Sequence, residues 1–189
     1  MVGLLLLAGG LSQRMGHDKA RMAGGVQRIL QEAKAAGLTP RIVLAGPPPR
    51  ASELERDGWL DDADEVLDDP THATCLHDVL VHVLDGTLPP MVLTPCDAVL
   101  VDREAFSALA NMAPGVPLDH EGRRQVLFSH VPEGWATQPH PHQRVEALFD
   151  GFAERSIGAF GSMLRTANTP EELATMTSVK PGTVEGDRP

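Results

Sequence analysis

The 189-residue chain contains no tyrosine, and aromatic residues make up only 4% of it. A protein that grips single-stranded nucleic acid by stacking bases on rings needs such side chains, so that class is excluded. Only two cysteines are present, Cys75 and Cys96. Neither sits in a C-x-x-C or Cys/His metal pattern, and two unpatterned thiols suit a reducing compartment. No apolar run approaches the length needed to cross a bilayer. The apolar start at residues 4–8 lacks the cationic leader of a signal peptide, so a cytoplasmic protein is expected.

Apolar residues reach 42%, enough for a sizeable core that Leu, Val, Ile, Ala and Met must fill. The formal net charge of −10 is unevenly spread. Residues 1–50 hold seven Lys and Arg against two acids, whereas residues 51–189 hold nine against twenty-four. An acidic body disfavours general binding to nucleic acid or anionic membranes. A locally basic first third suits a compact anionic ligand such as a phosphate ester.

The length suggests one domain, expected over residues 1–176, with a disordered tail at 177–189. Short apolar runs at 2–8, 41–46 and 91–97 read as strands, and "DEVLDD" at 64–69 as a short third strand ending in acids. Helical periodicity marks 26–36, 74–86 and 102–112, the last with Asp102 as N-cap. "PPPR" after the second strand reads as a stiff loop. Further along, 126–131 reads as a strand, 138–143 as a loop, and 143–153 and 157–166 as helices. "TPEEL" at 169–173 is a capping box, with Thr169 as N-cap and Pro170 at the first helical position. Alternating strands and helices predict a three-layer α/β/α fold, Rossmann-like, with a mostly parallel sheet. Ligands in such sheets bind beyond the C-terminal ends of the strands. Three chemistry-bearing segments follow strand ends: Gly9 to Lys19, Asp68 with Asp69, and Asp97.

The stretch "LAGGLSQRMGHDKA" carries the strongest signal. Gly9 and Gly10 allow close backbone approach to a ligand. Backbone N–H groups and the Ser12 hydroxyl can donate to phosphate oxygens. Arg14 offers a planar fork and Lys19 a mobile point charge. The spacing is neither a P-loop nor a dinucleotide G-x-G-x-x-G. His140 and His142 lie in a proline-rich loop without carboxylate company, and His77 and His82 do not share a helix face well; neither pair is expected to hold metal.

These residues resemble the opening motif of the MobA-like nucleotidyltransferases, the molybdopterin-guanine dinucleotide synthases. Leu7, Ala8, Gly9, Gly10, Ser12, Arg14, Met15, Gly16, Asp18 and Lys19 match the pattern. "PCDAV" resembles the family's acidic metal-binding motif, placing its carboxylate at Asp97. "VLDD" falls where the family has another acid, here Asp69, although neighbouring Asp68 could serve. "ANTPEEL" resembles the C-terminal motif and puts Asn168 forward as a second metal ligand or as a local cap. The resemblance implies transfer of GMP from GTP to the terminal phosphate of molybdopterin or molybdenum-molybdopterin, with release of pyrophosphate. It assigns nucleotide contacts to Leu7, Ala8, Gly9, Gly10, Ser12, Arg14, Lys19, Asp69 and Asp97. Of these, Arg14, Lys19 and Asp97 are the catalytic candidates, and Mg²⁺ would lie on Asp97. It also implies contact with molybdenum-enzyme apoproteins or chaperones. Four positions depart from the pattern: Thr74-Cys75 replaces Gly-Pro, Val99 replaces a proline, Ala45 replaces an asparagine, and Val26-Gln27 follows Gly25 in place of a Gly-x-Pro. Cytidylyl transfer to the same acceptor, and nucleotide or cofactor binding without turnover, are the alternative readings.

Overall fold

A computed structural model describes residues 1–9, 18–166 and 169–178. Its centre is a five-stranded sheet built from β1 (Gly3–Leu7), β2 (Arg41–Gly46), β3 (Glu65–Asp68), β4 (Met91–Pro95) and β6 (His130–Val131). The strand order is β3-β2-β1-β4-β6. The first four strands run parallel, and β6 pairs antiparallel with β4. β1 lies in the middle because its five residues, GLLLL, are all buried and can be covered on both faces.

Alternation along the strands sorts the core into two layers. Leu4 and Leu6 of β1 and Val43 of β2 point to one side. There they meet α1 (Gly25–Ala35), α2 (Arg50–Arg56) and α4 (Arg103–Asn111) through Ile29, Leu54 and Phe106. Leu5, Leu7, Ile42 and Leu93 point to the other side and meet α3 (Leu76–Val83) through Val79 and Leu80. The architecture is therefore three-layered, α/β/α, as the sequence predicts. Helices α1 and α4 bury one stripe each, and Asp102 caps α4 by accepting from the Ala105 N–H at 2.9 Å. Thr169 likewise accepts from Glu172 N–H at 3.2 Å, opening α5 (Pro170–Ser178) as the capping box foretold. Helix α5 includes residues 177 and 178; the rest of the expected tail lies outside the described residues.

The second half differs from expectation in three places. Residues 126–131 are not one strand. A 3₁₀ turn spans Val126–Phe128, and only His130–Val131 pair as β6. Ser129 donates its hydroxyl to the Val126 carbonyl at 2.7 Å and closes the turn. The helices expected at 143–153 and 157–166 are 3₁₀ turns at Glu146–Phe149 and Gly158–Met163. The first is gathered into a ring cluster of Trp135, Phe149 and Phe152. In the second, a Cβ on Gly161 would lie only 3.0 Å from the Leu118 carbonyl oxygen, so the turn sits tight against the strand there. That strand, β5 (Val116–Leu118), forms a separate two-stranded parallel sheet with β7 (Glu154–Ser156). In the first half, "PPPR" is not only a loop: Arg50 opens α2.

Candidate active site

The C-terminal ends of β1, β2, β3 and β4 open onto one cleft of about 540 Å³. Gly9, Lys19, Asp69, Cys75, Cys96 and Asp97 are among its lining residues. The three segments picked out by the sequence therefore meet in one place. Leu7 also lines the cleft, while Ala8 is buried beneath it. Gly10, Ser12, Arg14 and Asn168 lie outside the described residues.

Lys19 follows Asp18, whose carboxylate accepts from the Ala20 N–H at 3.0 Å and caps the 3₁₀ turn Lys19–Gly24. This local cap points Lys19 across the cleft mouth, where its ammonium donates to Asp97 Oδ2 at 2.6 Å. Both side chains are mostly buried, with 21% and 15% of their surface exposed. Asp97 sits in the turn after β4. The turn is gripped by Arg28 of α1, which donates to the carbonyls of Ala98 at 2.6 Å and Val101 at 2.7 Å. Burial lowers the pKa of Arg28, opposed by the nearby charges of Glu32 and Asp102.

Asp69, not Asp68, lines the cleft. Burial raises its carboxyl pKa, the Asp68 charge adds to the rise, and Arg50 opposes both. Gly9 and Gly46 pack backbone on backbone beside it. A Cβ on Gly9 would lie 2.8 Å from Gly46 Cα, and Gly46 holds φ at +104°. The β2–β3 register shifts at this same point, between Leu44 and Gly46. The bulge and the two glycines let the β1 end and the β2 end close on each other.

Cys96 is buried, and burial with the Asp97 charge pushes its thiol pKa up to about 12. It is a packing residue and no nucleophile. The α3 end of the cleft holds the residues that depart from the family pattern. Thr74 donates its N–H and hydroxyl to Asp78 Oδ2 at 2.9 and 2.7 Å, while Cys75 is exposed at the cleft wall. Cys75, His77 and Asp78 bring potential ligand atoms within 4.8 Å of one another. Hydrogen bonds already use them. His77 Nε2 accepts from His140 N–H at 3.1 Å, which leaves the ring proton on Nδ1, facing Asp78 Oδ1 at 3.2 Å. His140 thus helps anchor its loop. Ala45 is fully buried and presents nothing to the cleft.

Arg28 and Arg50 are the site residues that sequence reasoning missed. Each donates to a backbone carbonyl, Arg50 also to the Asp18 carboxylate, and such long-range contacts leave no motif. The one signal available was a cation closing a proline run directly after a strand end.

A parallel sheet whose strand ends gather a lysine, two carboxylates and a glycine seam is the architecture of a nucleotide-handling α/β enzyme. The family model for the MobA-like NTP transferase domain matches residues 4–155, and the chain belongs to that family. It is a nucleotidyltransferase. Solved structures agree on the fold. Rv0371c from Mycobacterium tuberculosis H37Rv is 19% identical with a TM-score of 0.63, over 95% of this chain and 100% of its own. The nucleotidyl transferase Mth528 from Methanothermobacter thermautotroptrophicus is 16% identical with a TM-score of 0.62, over 93% and 95%. The 4-diphosphocytidyl-2C-methyl-D-erythritolsynthase from Anaerococcus prevotii DSM 20548 is 10% identical with a TM-score of 0.54, over 93% and 95%. No curated protein matches the chain significantly. Among the described residues no helix is long and apolar enough to cross a membrane.

Proposed function

We propose that the chain transfers GMP from GTP to the terminal phosphate of molybdopterin or its molybdenum form and releases pyrophosphate. The observation that carries this reading is the meeting of Lys19, Asp97, Asp69 and Gly9 in one cleft at the strand ends. A terminal phosphate oxygen of the acceptor forms a bond to the α-phosphorus of GTP. The α–β bridging bond breaks, and its electron pair leaves with pyrophosphate. Two anions must approach, so the protein's task is positioning and charge stabilisation. Lys19 rests on Asp97 until the triphosphate offers its ammonium a stronger anion; there it screens the charge that builds on the leaving group. Arg14 and Ser12 belong to the same task through their place in the motif.

The donor chemistry at Asp97 fits a divalent cation. Its carboxylate is a hard oxygen ligand, and it already faces a cation, the Lys19 ammonium. Asp97 would hold Mg²⁺, with Asn168 as a second oxygen ligand. Bound there, the ion supplies Lewis-acid charge neutralisation for the phosphate oxygens.

At the base end, Asp69 accepts from the adjacent donors on the guanine edge while the Gly9 backbone lies against the ring. Cytosine offers a single amino donor on the corresponding edge, which favours guanine at a lone carboxylate. Ala45 removes a second contact, so the preference is modest.

The test is product identity. An equimolar mixture of the four nucleoside triphosphates is incubated with protein, Mg²⁺ and molybdopterin, and products are weighed by mass spectrometry. A predominant GMP adduct of the pterin is expected. A CMP adduct would replace guanylyl by cytidylyl transfer, and absence of any adduct would overturn the acceptor.

A further inference from the structure

We propose that Arg50 is a positioning residue for the transfer reaction: by bridging the Ala8 carbonyl and the Asp18 carboxylate it fixes where Lys19 stands against Asp97. The inference rests on the reading of the cleft as a triphosphate site.

Arg50 opens α2, an element outside the signature motif, and its side chain reaches under the cleft. Its Nε donates to the Ala8 carbonyl at 3.1 Å, and its Nη2 donates to Asp18 Oδ1 at 2.5 Å. The guanidinium is largely buried, with 16% of the side chain exposed. Ala8 and Asp18 lie on either side of residues 10–17, which carry the glycine, serine and arginine of the motif. One planar group therefore sets the spacing between the two flanks of that segment.

The effect passes on through a short chain of contacts. The oxygen of Asp18 that meets Arg50 is the one that caps Ala20 N–H, so the Lys19 turn is registered against β1 and α2 together. Lys19 then meets Asp97. Arg21 adds a second cation on Asp18, with its Nε 3.5 Å from Oδ2. The fork of Arg50 differs in kind, because it also holds a backbone carbonyl of β1. Gly46 makes the passage possible. A Cβ built there would lie 3.0 Å from Arg50 Cδ. The Arg50 charge also reaches Asp69 and Cys96, lowering the pKa of each against burial.

A lysine can satisfy one of the two acceptors but cannot copy a fork. Small misplacement of a charge donor costs rate steeply, so Arg50→Lys should lower kcat about 10- to 100-fold. The KM for nucleotide should change little, since the loss falls on transition-state stabilisation. The decisive experiment is a double-mutant cycle read by single-turnover pyrophosphate release with GTP, Mg²⁺ and molybdopterin. If Arg50 acts through Lys19, Arg50→Lys costs less than about twofold once Lys19 is alanine. Equal losses in the two backgrounds, or no loss in the wild-type background, would overturn the inference while leaving transferase activity standing. Failure of the wild-type protein itself to release pyrophosphate would instead overturn the reading beneath it. Asp18→Asn weakens the same bridge from its other end without touching the buried guanidinium: Oδ1 still accepts from Ala20 N–H and Arg50, but without the carboxylate charge that makes the Arg50 contact strong. It should lower kcat in the same direction, by part of the Arg50→Lys loss, in a protein with wild-type circular dichroism. Full activity of that variant would contradict the bridge.

Discussion

Lys19 and Asp97 are 78 residues apart in the chain and 2.6 Å apart in space. Their pairing makes distinct demands on each. Lys19 stands at the cleft mouth outside the two apolar layers, so Lys19→Ala should keep the fold, with a modest fall in melting temperature because the mostly buried Asp97 loses its cation. Removing one preorganised charge donor should raise the barrier by about 3–4 kcal/mol. Near wild-type pyrophosphate release by this variant would remove Lys19 from the mechanism. Asp97→Asn keeps the size and one oxygen but loses the charge a hard cation wants. Activity should fall, and the Mg²⁺ concentration for half-maximal rate should rise; an unchanged Mg²⁺ titration would contradict the metal role. Asp69 ties stability to function. Its folded-state carboxyl pKa is raised, chiefly by burial. Its contribution to stability is therefore fully present below the ordinary carboxylate pKa and is lost as pH rises through the folded value. Asp69→Asn should accordingly raise the melting temperature at pH 7, with the gain vanishing near pH 3. The same change should weaken GTP binding about 10-fold in calorimetric titration, the low end for a lost polar contact. A lower melting temperature at pH 7 would show that the carboxylate is better stabilised than its surroundings suggest.

At the scale of elements, the site depends on a seam between β1 and β2. Gly46→Ala should be among the most damaging small substitutions. The new methyl would meet Gly9 Cα at 2.7 Å on a backbone with φ of +104°. A loss of about 1–3 kcal/mol in urea unfolding is expected, together with loss of nucleotide binding. A variant that binds GTP normally would show that the seam can spread at no cost to the site. The strands β1 to β4 and the helices α1, α3 and α4 were legible in the sequence. β1, β2 and β4 are continuous apolar runs, β3 is a Val-Leu pair set between acids, and the helices are one-sided stripes with a glycine or an Asp N-cap at a boundary. Residues 116–166 were not. There, two- and three-residue strands are held by distant partners, as when Val116 of β5 pairs with Glu154. The 3₁₀ turns carry apolar residues at spacings that imitate helix and strand. Of the cleft, Lys19, Asp69 and Asp97 could be read from motifs. Arg28 and Arg50 could not: Arg28 holds two backbone carbonyls, which leave no trace in side-chain identity, and Arg50 joins a backbone carbonyl to Asp18, 32 residues away in the chain.

At the scale of the whole molecule, the parallel sheet gathers remote segments at one edge, and the charge distribution sharpens the result. The first 50 residues supply a surplus of cations to an otherwise acidic chain. Lys19, Arg28 and Arg50 are spent at or beneath the cleft, where a polyanion must be held. The exposed edge strand β3 is acidic at its outer positions, with Glu65 and Asp68 exposed, which discourages edge-to-edge pairing between copies. In the proposed reading, base selection rests on Asp69 and the Gly9 backbone, and the triphosphate end on Lys19 after β1 and Asp97 after β4. The most direct measurement is therefore the dependence of pyrophosphate release on both substrates. Wild-type protein with GTP and Mg²⁺ should release pyrophosphate only when molybdopterin is added, in an amount that rises one for one with limiting acceptor. Release at the same rate without acceptor, or none with it, would contradict guanylyl transfer to that phosphate.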